Sequence, residues 1–308
     1  MELVILSGKG GTGKTSLVGS LAVLAENKIL VDCDVDAADL DLIIQGEKGQ
    51  PNEFTASKKA IIDSELCTDC GICREHCRFN AIEYNDTGTG GSYRIDPLAC
   101  EGCGLCVYLC PDKAIGLHPV VSGQWFLSKT DYGPLIHANL GIAQGNSGRL
   151  VSLLRKTARD LAESEGRELI IVDGPPGIGC PVIASLTGAD YVVLVTEPSK
   201  SAFHDLERII SLVSHFRLPL GICINKFDIN PALTQEIENF AIQKGIVLLG
   251  RIPYDPEITR AQIAGKPVIE FVDNETGRLI RQIWEKILGN LKYNNGRKKD
   301  ISKPLKLL

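Results

Sequence analysis

The chain has 308 residues, 44% of them hydrophobic and 23% charged, with a formal net charge of −5. That length suggests about two domains with a sizeable core, and the mild acidity offers no basic surplus for nucleic acid or an anionic membrane. Eleven cysteines are too sparse for a secreted disulfide scaffold, no signal peptide precedes the first strand, and no apolar run approaches the roughly 20 residues of a membrane helix, so the expected location is cytoplasmic and reducing.

Leu3–Leu6 reads as a short buried strand, followed by Ser7-Gly8-Lys9-Gly10-Gly11-Thr12-Gly13-Lys14-Thr15 and a helix from Ser16 onward. This is GxxxxGK[ST] in the strand-to-helix context that the phosphate loop requires. Its glycines let backbone N–H groups turn inward as an anion nest at a helix N-terminus. Lys14 is placed to neutralise phosphate oxygens and the Thr15 hydroxyl to coordinate Mg²⁺. The next apolar run, Ile29–Val31, ends in Asp32-Cys33-Asp34, carboxylates suited to positioning a water in line with a phosphoryl group. Asp36, Asp39 and Asp41 read as solvated acids at a helix start.

Two rows of thiols come next. Cys67, Cys70, Cys73 and Cys77 form CxxCxxCxxxC, and adding 33 to each number gives Cys100, Cys103, Cys106 and Cys110. Three thiolates in CxxCxxC wrap one iron–sulfur cluster, and in two-cluster patterns the fourth cysteine of each row ligates the other cluster. The expected sets are Cys67, Cys70, Cys73 with Cys110, and Cys100, Cys103, Cys106 with Cys77. Gly71 and Gly104 stand at matching places where backbone passes close to sulfide, and Ala81-Ile82 matches Ala114-Ile115. Pro111 follows the second row, whereas Arg78 follows the first. Zinc would prefer separated CxxC pairs and four ligands in all.

Beyond the cysteines, Leu169–Val172, Tyr191–Val195, Leu220–Ile224 and Val247–Ile252 are apolar runs of strand length. Helical spacing appears in Leu150, Val151, Leu154, Ala158, Leu161 and in Phe203, Leu206, Ile210, Val213. Alternating strands and helices predict an α/β fold, a mainly parallel sheet with helices on both faces. The expected organisation is a discontinuous host of residues 1–60 and 119–290, an α+β insert at 61–118 with Thr87–Gly91 as its internal turn, and a basic, frayed tail at 291–308. Trp125 and Phe126 are expected to start the strand that re-enters the host sheet. Asp173, which closes the third host strand before Gly174-Pro175-Pro176-Gly177, is placed to hold Mg²⁺ through water. Asn225-Lys226-Phe227-Asp228 ends a later strand and could read a base, an Asn amide both donating and accepting. Cys33 and Cys223 read as buried small hydrophobes; Cys180 lies beside the Asp173 segment.

KGGTGKT, the Asp32/Asp34 and Asp173 strand ends and the Asn225 segment together resemble the MinD/ParA superfamily of P-loop ATPases over about residues 1–290, and the cysteine rows resemble an inserted two-cluster ferredoxin domain. The resemblance implies that Lys9 reaches across a face-to-face dimer to the partner's nucleotide, that Asp34 orients the attacking water with Asp32 near Mg²⁺, and that Asp173 marks a second switch. It places Asn225, Lys226, Asp228, Pro253 and Asp255 around the base. NKxD also resembles the guanine reader of GTPases, but KGGTGKT weighs toward ATP. The implied cofactors are ATP, Mg²⁺ and two [4Fe–4S] clusters. The implied partners are a second copy or a paralogue in a dimer, and a redox or client protein. ATP-gated electron transfer is the favoured expectation, with ATP-dependent cluster or metal-cofactor assembly and a positioning ATPase with structural clusters as alternatives. The C-terminal CxxC of Mrp-type carriers is missing, which weighs against the assembly reading.

Overall fold

A computed structural model describes residues 1–86, 91–141 and 146–301, with side chains as far as residue 292. The chain divides into two compact units. One comprises Met1–Asn52, Trp125–Asn139 and Ser147–Leu308, the other Glu53–Gln124 and Leu140–Asn146.

The first unit opens with β1 (Glu2–Ser7), α1 (Lys14–Leu24), β2 (Lys28–Asp32), α2 (Leu40–Ile43) and the two-residue β3 (Gly46–Glu47). Every residue of β1 and β2 is buried, as expected of parallel strands covered on both faces. The second unit contains β4 (Asn52–Ile62), α3 (Ile72–Glu75), β5 (Ile82–Asp86), β6 (Gly91–Ile95), α4 (Leu105–Leu109) and β7 (Ile115–Thr130), the last running on into the first unit from Trp125. Phe126 thus lies inside a strand that starts ten residues earlier than Trp125, and β7 also pairs with β4. Antiparallel β5 and β6 pair from Ile82↔Ile95 to Asp86↔Gly91; residues 87–90 of the expected Thr87–Gly91 turn fall outside the described residues.

The return leg runs through β8 (Gly133–Leu140), α5 (Ser147–Glu165), β9 (Leu169–Pro176), α6 (Cys180–Leu186), β10 (Tyr191–Thr196), α7 (Lys200–His215), β11 (Leu220–Asn225), α8 (Pro231–Gln243), β12 (Val247–Ile252), α9 (Pro256–Ile263), α10 (Val268–Phe271) and α11 (Glu275–Ile301). The sheet order is β12-β11-β10-β1-β9-β2-β8-β7-β3. β1, β2, β9, β10, β11 and β12 are mutually parallel, and β8 joins β2 in the same sense. All six apolar runs read as strands are strands here. Leu3, Ile5, Leu30, Ile171, Val193 and Cys223 pack with Leu17 and Leu21 of α1 and Ile283 and Ile287 of α11 into the core on one side of the sheet. The basic segment expected to fray instead continues α11 to Ile301, since lengthening an existing helix costs far less than starting one. Residues 302–308 lie outside the described residues.

Register brings the polar strand ends together. β2 and β9 pair from Lys28↔Leu169 to Asp32↔Asp173, so both acids stand side by side at the carboxyl edge, where open α/β sheets bind ligands. β1 ends at the same edge and hands the chain to the glycine loop.

Candidate functional site: a phosphate loop and two thiol cavities

The loop between β1 and α1 turns on Gly11 (φ 77°) and Gly13 (φ 88°), both left-handed. A Cβ on Gly13 would sit 2.2 Å from Asn225 Nδ2, so a side chain there has neither the backbone conformation nor the space. Asn225 explains the crowding, since its Nδ2 donates to the Thr12 carbonyl at 2.8 Å and its Oδ1 accepts from the Lys226 amide at 3.0 Å. Lys226 Nζ donates to the Gly11 carbonyl at 3.0 Å. The Asn225-Lys226 pair, read from sequence as a base contact, lines the cavity beside the phosphate loop and also clamps that loop from the end of β11. Asp228 Oδ1 accepts from the Tyr254 amide at 2.7 Å and so fixes the segment after β12, and Asp255 caps α9 through the Glu257 amide at 2.9 Å.

Loop residues 10–16 line a cavity of about 810 Å³ together with Asp34, Pro175, Asn225, Lys226, Pro253, Tyr254 and Asp255. Gly8 is pressed against α7 instead, where a Cβ would lie 2.6 Å from that of Asp205. Lys14, the first residue of α1, is buried and its ammonium contacts Asp173 Oδ1, with Asp34 Oδ2 3.9 Å away. Burial opposes its charge, but the carboxylates of Asp173, Asp32 and Asp34 overcome that and hold its pKa above the usual lysine value. Asp34 is raised to about 6 by burial, which Lys14 only partly offsets. Asp32 is fully enclosed and pushed well above the carboxylate range by burial and by Asp173. Its oxygens accept from the amides of Asp34 at 3.0 Å and Leu40 at 3.1 Å, so it braces the segment that carries Asp34 and does not line the cavity.

Asp173 Oδ2 and Thr12 Oγ1 are buried without a hydrogen-bond partner. Unpaired oxygens at that depth cost free energy unless a ligand meets them. They stand beside a cationic lysine in a glycine cradle, which fits a phosphate chain with its divalent cation. Thr15 lines the cavity, and the Ser16 hydroxyl accepts from Gln262 of α9 at 2.8 Å. Gln262, Tyr254 and Glu197 had no signal in the sequence. Glu197, just beyond β10, pairs with Lys9 at 2.8 Å and Lys226 at 2.9 Å, and Lys9 also donates to Ser199 and Ser201 at 3.2 and 3.3 Å.

Residues 3–268 match the model of the CobQ/CobB/MinD/ParA nucleotide-binding domain. The chain belongs to that family. With an intact phosphate loop it is an ATPase of the MinD/ParA type. It is 30% identical over 291 residues to an uncharacterized protein of Methanocaldococcus jannaschii, covering 93% of this chain and 96% of the relative. It is 25% identical to the septum site-determining protein MinD of Bacillus subtilis, covering 93% and 88%. The solved structure of Pyrococcus horikoshii MinD complexed with Mg-ADP superposes with a TM-score of 0.55 at 17% identity, covering 93% of this chain and 95% of that one. At that identity the superposition speaks for the fold.

The cysteine unit of this MinD/ParA-type chain repeats one local geometry. Gly71 and Gly104 both adopt φ 78° and open short helices, α3 and α4, so each row turns over one glycine, with Cys73 and Cys100 buried and Cys70 and Cys103 exposed. Cys67, Cys70, Cys73 and Cys110 line one cavity, with Gly71, Tyr93 and Asp112. Cys77, Cys100, Cys103 and Cys106 line a second, which Cys73 also reaches, with Arg78, Gly102 and Gly104. Amides already face sulfur: Gly102 N–H donates to Cys100 Sγ at 3.4 Å and Ala114 N–H to Cys110 Sγ at 3.3 Å. Gly102 admits no side chain, because a Cβ would lie 1.9 Å from the Lys58 carbonyl. Among the described residues no group of three or more His, Cys, Asp or Glu could hold a single metal ion; the thiols are spread around cavities instead. Cys33 and Cys223 are buried, and burial pushes the Cys223 thiol up to about 12. Cys180 is exposed at the start of α6.

Proposed function

We propose that this ATPase is an iron–sulfur protein that passes electrons to a partner through two [4Fe–4S] clusters under control of its nucleotide state. The observation that carries the reading is that the eight cysteines line two cavities in the interchanged sets expected from their spacing. Cys67, Cys70, Cys73 and Cys110 would hold one cluster, and Cys77, Cys100, Cys103 and Cys106 the other. The left-handed glycines and sulfur-facing amides suit a bulky anionic group. Bound there, the clusters supply one-electron redox chemistry.

In the phosphate loop, Lys14 would meet the β- and γ-phosphates of ATP as its contact with Asp173 loosens. Thr15 and the unpaired Asp173 oxygen are the protein ligands available to Mg²⁺, directly or through water. When bound, Mg²⁺ neutralises phosphate charge. Asp34 lines the cavity within reach of Lys14 and is suited to orient the attacking water. By resemblance to the MinD/ParA superfamily, a second copy or a paralogue would receive Lys9, which must first leave Glu197, Ser199 and Ser201.

A positioning role is the second reading, favoured by the relatives named septum site-determining proteins. Under it the cysteine unit would serve stability alone. Among the described residues no helix is long and apolar enough to cross a membrane. Anaerobic purification decides between them. The electron-transfer reading requires about eight iron and eight sulfide per chain, and a rate of electron transfer from the reduced protein to an acceptor that ATP changes and ADP does not. Equal rates with either nucleotide would remove it. Transfer of labelled iron to an apo-acceptor under turnover would instead favour an assembly role.

A further inference from the structure

The two thiol cavities differ in electrostatics. Lys59 of β4 is 8% exposed, and its ammonium donates to the carbonyl of Cys100, a residue of the second cavity. The contact is enforced from both sides, because the backbone of Lys58 presses on Gly102 so closely that no Cβ fits between them. Arg78, which stands where the other row has Pro111, lines that same cavity, opposed by Glu101. Among the described residues the first cavity has no cation in its wall. Asp112 lines it, with an oxygen 2.6 Å from the Thr68 hydroxyl, and Asp69 Oδ1 lies 3.7 Å from Cys67 Sγ.

We propose that Lys59 and Arg78 make the second cavity the higher-potential site, so that an electron delivered to the unit comes to rest in the set Cys77, Cys100, Cys103 and Cys106. Reduction adds one negative charge to a thiolate-ligated cluster, and local charge and hydrogen bonding set cluster potentials. A buried ammonium at low effective dielectric favours the more negative, reduced form, and carboxylates beside the other cavity disfavour it. Electron movement between the sites is balanced without protons or bond changes. With clusters held by these cysteines, a low-potential one-electron donor would supply the electron, which would settle on the set Cys77, Cys100, Cys103 and Cys106. The inference rests on the cluster reading above and names the direction of flow within it.

The test is a redox titration of the full chain, purified anaerobically, followed by electron paramagnetic resonance, alongside Lys59→Met, Arg78→Gln and Asp112→Asn. Iron and sulfide analysis of each protein comes first; an iron-free wild type would sink the cluster reading and this inference together. With iron bound, the expected result is two separate midpoints. Lys59→Met should lower only the upper one, reducing the ratio of reduced to oxidised protein at fixed potential about tenfold, which is ~59 mV for one electron. Arg78→Gln should shift the same midpoint less, and Asp112→Asn should raise only the lower one. Arg78 is exposed, so its variant decides the matter if Lys59→Met does not fold. Coincident wild-type midpoints, or variants that move neither midpoint or the opposite one, overturn the inference and leave the cluster reading standing.

Discussion

Lys9 and Lys226, 217 residues apart in sequence, are joined through the two carboxylate oxygens of Glu197 at 2.8 and 2.9 Å. The Lys226 ammonium also holds the Gly11 carbonyl, so one acid ties both ends of the glycine-rich segment to the end of β10. Burial works against the Glu197 charge, but the two lysines outweigh it and keep the carboxyl below its ordinary value of 4.5. Its contribution to stability is therefore complete above about pH 4.5 and is lost as pH falls through the lower folded-state value. All three side chains are partly exposed, so Glu197→Gln should cost only about 1 kcal/mol near neutral pH. The larger effect expected is a several-fold loss of nucleotide affinity from a loosened loop, measured by calorimetric titration. Unchanged affinity would mean that Asn225 alone fixes the loop.

Lys14 is the counter-charge of an acidic pocket as well as a ligand for phosphate. Removing one partner of a buried pair leaves the other uncompensated, at a typical cost of 3–5 kcal/mol. Lys14→Met should abolish hydrolysis and destabilise the nucleotide-free protein on that scale in urea denaturation. The double variant Lys14→Met, Asp173→Asn should recover much of the stability and none of the activity. Additive losses in the cycle would show that the two side chains do not act as a pair.

For Asp34 the sign is opposite to that for Glu197. A folded-state pKa of about 6, above the ordinary 3.8, means that folding favours the neutral carboxyl. Its relative stabilisation is present below about pH 4 and lost as pH rises through 6, a difference of up to ~3 kcal/mol. Asp34→Asn should therefore be more stable than wild type at pH 7.5, and the gap should close on acidification. Hydrolysis that needs the ionised carboxylate should fall below about pH 6 and be lost in the variant. A rate profile flat across pH 6 would remove Asp34 from water positioning.

Gly102→Ala forces a methyl group into the Lys58 carbonyl at a left-handed position, φ 65°. Backbone strain of this kind costs of order 1–3 kcal/mol before the clash is counted. The expected outcome is loss of the compact cysteine unit by limited proteolysis, while ATP hydrolysis by the other unit persists. If the variant resists protease as wild type does, β4 has moved aside.

The parallel strands were legible because burial on both faces leaves unbroken runs such as Leu3–Leu6 and Tyr191–Val195. β4 was not, and β7 only from Trp125 onward, since half-buried strands mix polar and apolar residues, and β7 carries Pro119 and Gly123 in its first part. The phosphate loop, the strand-end acids and the cysteine rows were visible because each is a motif of fixed spacing along the chain. What escaped was chemistry made across the fold. Glu197 meets Lys9, and Gln262 meets Ser16, only because the strands and helices bring them to one edge. Asn225 was noticed as a base contact, but its Thr12 partner could not be, so its added part as a loop clamp was invisible.

The exchange of one cysteine between rows has a topological outcome. Cys110 closes the first cavity over a loop that begins at Cys67, and Cys77 closes the second over a loop that ends at Cys106, so the second loop is nested inside the first along the chain. Neither row can wall a cavity by itself, and Cys73 borders both. Fraying at either end of the segment removes Cys67 or Cys110 and opens the first cavity before it reaches Cys77 or Cys106, so the enclosed second chamber is the last part of the unit to lose its wall.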